Sequence, residues 1–102
     1  RAAGGPAEAD RMNVAEVNLQ RAQELADLLP RLGYMRARVL PDGSVAAISD
    51  LAFTRAIYLG CTSETWERRY CFANYALADR RFAELQSEDD VPEGHTAARI
   101  MR

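Results

Sequence analysis

Cys61 and Cys71, the only two cysteines, lie in one stretch, "GCTSETWERRYCFANY" (Gly60–Tyr75), with the only tryptophan, Trp66, and the pair Arg68–Arg69. Thiolate chemistry needs a base within reach. Cys71 falls between Tyr70 and Phe72, where a cysteine behaves as a small hydrophobe. Cys61 sits in the more open "GCTSET", and the single histidine, His95, is the one imidazole that could approach it. A zinc clip does not follow either. The cysteines are separated by nine residues, and His95 lies far along the chain, a pattern that matches no zinc spacing. All thirteen basic residues are arginine, which removes lysine Schiff-base and P-loop chemistry. No catalytic constellation is visible, so no enzyme, no cofactor and no metal is expected.

The same residues can bind without reacting. Arg55, Arg68, Arg69, Arg80 and Arg81, interleaved with Phe53, Trp66, Tyr70 and Phe72, are candidate contacts for a partner or for nucleic acid, whose bases stack on aromatic faces. The competing reading makes the aromatics a core face under helices, with Arg55 and Arg68 extending their stems over its margin. Net charge is −2, and the acidic run "EDDVPE" would repel phosphates. The absence of lysine amid abundant Ala, Gly and Pro reads as a GC-rich genome; the alternative is selection for arginine's planar fork.

The elements that position these residues follow from periodicity. "RAAGGPAEAD" has no apolar period, so residues 1–12 are expected to be a flexible tail and 13–102 one domain. From Asn13, residues Val14, Val17, Ala22, Leu25, Leu28, Leu29 and Leu32 share one arc of a helix that Pro30 should end near Leu29. Asn18 and Arg21 interrupt that arc. Either this half of the helix overhangs the core, or the two residues mark a seam against a partner helix, such as that of a homodimer.

Strands are expected near Met35–Leu40, Ser44–Ile48, Ala52–Leu59 and Trp66–Phe72, with "PDG" (Pro41–Gly43) as the first turn. Asn74 should cap a helix carrying Tyr75, Ala78, Phe82 and Leu85 on one side. "HTAARIM" is a weak final strand. The fold class is therefore α+β, a small antiparallel sheet of three to four strands with an N-terminal and a C-terminal helix packed on one of its faces, in α-β-β-β-α-like order.

If residues 60–65 close a hairpin, Leu59 faces Trp66, Ile57 faces Arg68, Arg55 faces Tyr70 and Phe53 faces Phe72. Cys71 then lies opposite Thr54, and at ~3.3 Å per residue the two sulfurs are well over ~10 Å apart. A disulfide needs Cα atoms within about 7 Å. Two free thiols are expected, which fits a reducing, cytoplasmic compartment. No apolar run approaches the ~18 residues that span a bilayer.

The stretch Asp42–Gly94 resembles small uncharacterised proteins encoded by phages, prophages and other mobile elements. The likeness rests on "DGSVAA", on "FTRAI" ahead of Gly60, on "RRYCF" and on the alanine-rich helix that follows. Such proteins often continue with Trp-Asp-Gly and Gly-Asp-Pro segments. Here "LQSEDDVPEG" keeps the acidic and Pro-Gly character without the tryptophan. The resemblance implies a bacterial cytoplasmic setting and an accessory role in a mobile element, with no residue role attached. The order of elements is also similar to double-stranded-RNA-binding domains, but Arg80 and Arg81 come a turn and a half later than the lysines that open the last helix there. The expectation is a non-enzymatic interaction protein that engages another protein, such as a host factor, or itself, with an arginine-based nucleic-acid module as the alternative.

Overall fold

The computed structural model describes residues 4–101, and the side chains of residues 14–101. The first helix, α1, spans Gly4–Leu28, so its backbone begins ahead of the expected start at Asn13. The tail expected over 1–12 falls on residues 1–3 and on side chains before Val14, which lie outside the described residues. The helix ends where Pro30 requires. A 3-10 turn, Leu29–Leu32, follows it, and Gly33 at φ +117° returns its N–H to Pro30 O at 3.2 Å. Among the described side chains of this segment, Ala22, Ala26 and Leu29 are buried, spaced as one helical stripe. Val14, Val17 and Leu19 are exposed, whereas Ala22, Ala26 and Leu29 pack in the cluster against the sheet.

Among the described residues, five strands form one antiparallel sheet in sequential order: β1 (Arg36–Val39), β2 (Val45–Asp50), β3 (Arg55–Leu59), β4 (Arg68–Phe72) and β5 (Ala97–Ile100). The second helix, α2 (Tyr75–Glu84), lies between β4 and β5 in sequence. The count of three to four strands is thus corrected to five, since the weak "HTAARIM" segment does pair with β4.

Local chemistry sets the joints. Gly43 takes φ +88° in the first turn, where Asp42 Oδ1 accepts from the Ser44 N–H at 3.0 Å. Leu51 N–H donates to Thr54 O at 2.8 Å, closing a tight turn between β2 and β3. Residues 52–54, expected in a strand, belong to that turn, and Phe53 is 89% exposed rather than part of the core. Asn74 caps α2 by accepting from the Leu77 N–H at 3.0 Å.

The β3–β4 register is two residues longer than expected. Leu59 pairs with Arg68, Ile57 with Tyr70 and Arg55 with Phe72. The cause is the connection, which runs to Glu67, whose N–H bonds Leu59 O at 2.9 Å, so Trp66 stays in the loop. An even shift leaves strand residues on their faces. Cys71 accordingly faces Ala56, not Thr54.

The helices sit on opposite faces, correcting the single helical layer that the sequence suggested. Against α2, with Ala78, Phe82 and Leu85, pack Ile48, Ile57, Leu59, Tyr70 and Phe72. Against α1, with Ala22, Ala26 and Leu29, pack Val45, Ala47, Ala56, Tyr58 and Cys71. Both faces of the central strands are apolar, so one helix could not cover them. Each fully buried Ile, Leu or Phe contributes roughly 1.5–3 kcal/mol.

Candidate functional site

The sheet divides the candidate arginines. Arg55 and Arg68 lie on the α2 side and are held by their own chain. Arg55 Nη1 is 3.0 Å from Asp79 Oδ1 and its Nε is 2.6 Å from Asp50 Oδ1. The Arg55 hydrogen bond holds Asp50 below the usual carboxylate range. Arg68 Nη1 donates to Glu88 O at 3.4 Å and lies 3.5 Å from Asp89 Oδ1. On α2, Arg81 pairs with Glu84 at 2.9 Å and donates to Glu93 O at 3.0 Å, while Arg80 is exposed. These four do not merge into one open basic surface.

Arg69 alone of the five stands on the α1 side. Its guanidinium carbon lies 5.3 Å over the Trp66 ring. Trp66 meets Tyr58 edge-on at 5.4 Å, and Tyr58 meets Tyr34 edge-on at 5.1 Å. This chain of rings runs from beneath α1 towards β4. Burial pushes the Tyr58 hydroxyl up, against the nearby Arg69 charge. Arg69 Nε is buried and has no hydrogen-bond partner among the described residues.

Across the sheet Arg69 pairs directly with Arg99 of β5. Arg99 was missed by the sequence reading, since nothing local indicates that residue 99 returns beside residue 69. Arg38 was missed for a similar reason. It donates to Phe82 O at 2.7 Å and Leu85 O at 3.1 Å, bonding carbonyls at the end of α2, where helical partners run out.

Asn18 and Arg21 are exposed and line a cleft of ≈ 370 Å³ between α1 and the adjoining loops, with Cys61, Glu67 and Glu88 also on its wall. Burial pushes Glu88 up first, and Glu67 and Asp42 add to it. Cys61, expected to be the open thiol, is 7% exposed. Burial pushes its thiol up to about 12, and Sγ lies 3.6 Å from Tyr58 O. Cys71 is also buried, and both cysteines are free. His95 lies on the other side of the sheet, 4.9 Å edge-on to Tyr70, with Nδ1 2.8 Å from Pro92 O. Cys61 and His95 are therefore not brought together. Among the described residues, no three His, Cys, Asp or Glu side chains gather to hold a metal, and no helix is long and apolar enough to cross a membrane.

Comparison of the chain with protein-family models, with curated proteins and with solved structures returns no match.

Proposed function

We propose that this chain is a non-enzymatic interaction module whose partner is another protein. The observation that carries the reading is β5. Every residue from Ala97 to Ile100 is exposed, and the strand is the last of the sheet. Such an edge presents unpaired N–H and C=O groups, a template for a further strand. The other edge, β1, differs. Arg36 reaches Asp79 at 3.0 Å and Arg38 bonds the end of α2, so its long side chains fold back onto the domain. Exposed Ile100 and Met101 extend the open region at β5. The resemblance over Asp42–Gly94 adds a bacterial cytoplasmic setting and a mobile-element accessory role to this reading.

Nucleic-acid binding through Arg55, Arg68, Arg69, Arg80 and Arg81 is the weaker alternative. Three of these arginines hold carboxylates of their own chain, and the one ring beneath Arg69 already bears its guanidinium.

The test is a tagged pull-down from bacterial lysate, split into nuclease-treated and untreated halves, with sedimentation of the purified chain alongside. A discrete protein that survives nuclease, or a stable homodimer, supports the interaction reading. Retention of nucleic acid and of nuclease-sensitive material alone would overturn it.

A further inference from the structure

We propose that β5 accepts an extended segment of a partner protein in which acidic and apolar residues alternate, added to the sheet as a new strand with an acid beside Arg99. The inference rests on the interaction reading above and names its partner's chemistry.

The backbone comes first. Met101 N–H donates to Glu67 O at 2.7 Å. In an antiparallel ladder, bonded pairs alternate with non-bonded ones. Counting back from Met101, Arg99 exchanges its bonds with Arg69, its register partner. Ala98 and Ile100 then turn their N–H and C=O groups to the open side. An incoming strand bonds at those two residues. Its residue opposite Arg99 occupies a non-bonded position, where Cα atoms approach to about 4.5 Å and side chains come closest.

Charge selects what stands there. Arg69 and Arg99 are directly opposed, and like charges so placed are destabilising. The ion pairs among the described residues use Arg36, Arg55, Arg68 and Arg81, and none reaches Arg69 or Arg99. Glu67, two residues before Arg69, turns over Gly60 instead. A carboxylate arriving beside Arg99 offsets that repulsion.

The opposite face selects the alternate residue. Arg68 and Ile100 stand on that face, Ile100 is 53% exposed, and with Glu67 and Met101 they line a cleft of ≈ 270 Å³ at this end of the edge. An apolar side chain next to the acid covers Ile100. Main-chain bonds then supply affinity and alternate side chains supply specificity.

The probe is a short fluorescent peptide of alternating valine and glutamate, titrated by anisotropy against the full chain. Controls are its valine–lysine counterpart and a version N-methylated on alternate amides. Two variants accompany it: Arg99→Glu, and Ala98→Pro, which removes an outward N–H while leaving the bonds to β4 in place. Circular dichroism checks both for the native fold. Expected are binding of the glutamate peptide, at least about tenfold weaker binding to Arg99→Glu, and loss of binding with the lysine or N-methylated peptides. Should Ala98→Pro unfold, the N-methylated peptide reads the same bond from the other side. No binding of the glutamate peptide, equal binding of the lysine peptide, or an unchanged affinity in Arg99→Glu would overturn the proposal. So would a dimer of the free chain dissolved by Ala98→Pro, or a single-stranded oligonucleotide that displaces the peptide at low concentration. A nuclease-resistant protein partner that Ala98→Pro still captures would overturn the edge inference and leave the interaction reading standing.

Discussion

Arg55 Nη1 stands 3.0 Å from both carboxylate oxygens of Asp79, so one guanidinium joins the start of β3 to the first half of α2. The same group grips Asp50 at the end of β2 and lies 4.7 Å over the Tyr75 ring. Its side chain is only 16% exposed. The Asp50 hydrogen bond, against burial and with help from Asp79, holds Arg55 more firmly protonated than a free arginine. An arginine bound on three sides is a clamp for α2, with little left to offer a partner.

Replacing Arg55 with Ala should therefore lower stability by about 1–2 kcal/mol, summing a partly buried charge network and a cation–π contact. Arg80→Ala, on the exposed side of α2, should stay within about 0.5 kcal/mol of the parent. Urea midpoints of the two variants decide the matter. Equal midpoints would remove the clamp.

Phe53 and Phe72 give the sharpest check of the β3–β4 register. A register two residues shorter pairs them in the core. The observed one leaves Phe53 89% exposed in a turn and Phe72 fully buried. Phe53→Ser should change stability by no more than about 0.5 kcal/mol, whereas Phe72→Ala should cost about 3–5 kcal/mol. A large loss from Phe53→Ser would restore the shorter hairpin.

Where residue type dictates geometry, the sequence was readable. Pro30 ends α1, Gly43 and Asp42 make the first turn, and Asn74 caps α2. What failed was set at a distance. "SVAAIS" carries no polar alternation, and Val45 to Ile48 are buried on both sides; that run could have signalled a sheet covered on two faces. The length of the "GCTSETWE" loop could not be read, because its closing bond from Glu67 to Leu59 depends on backbone geometry. The pairing of Arg69 with Arg99 spans α2 and a long loop, and no local spacing encodes it.

Acid should find the first turn before the core. Asp42 accepts from the N–H of Ser44 at 3.0 Å and of Glu88 at 2.9 Å. Slight burial pushes its carboxyl up, but the bonds from Ser44 and Glu88 outweigh it and hold the group down at about 2, from an ordinary 3.8. The stabilisation from this carboxylate is present above the ordinary value and is lost as pH falls towards the folded one. Asp42→Asn should thus lower the urea midpoint at neutral pH, and the gap should narrow below about pH 4. A gap independent of pH would show that the charge is not what matters. Glu88, pushed up, has the opposite sign, so Glu88→Gln should raise the midpoint at neutral pH.

Gly94 fixes the approach to β5. It takes φ +93°, and a Cβ there would fall 2.5 Å from Leu77 Cδ2. Gly43 also has positive φ, at +88°, but a Cβ there meets nothing within 4 Å. Gly43→Ala should cost about 1 kcal/mol from backbone strain alone, and Gly94→Ala clearly more. Similar losses in the two variants would mean that Leu77 yields freely and that the loop before β5 is not held by it.

The thiols test whether the sheet stays closed. Cys61 and Cys71 are both free and buried among the α1-side residues. The thiolate is the reactive form, and burial pushes the Cys61 thiol up to about 12 from an ordinary 9.0. At neutral pH, a disulfide reagent should therefore react with the native chain far more slowly than with the chain in guanidinium, where two thiols should titrate. Zero thiols in denatured monomer would mean that a disulfide exists and that the hairpin places the cysteines differently. Rapid labelling of the native chain would mean that the loop after Gly60 opens on the labelling timescale. Because Cys61 N–H bonds Val45 O at 3.0 Å, such opening would detach the loop from β2 and return Cys61 to consideration as a reactive group.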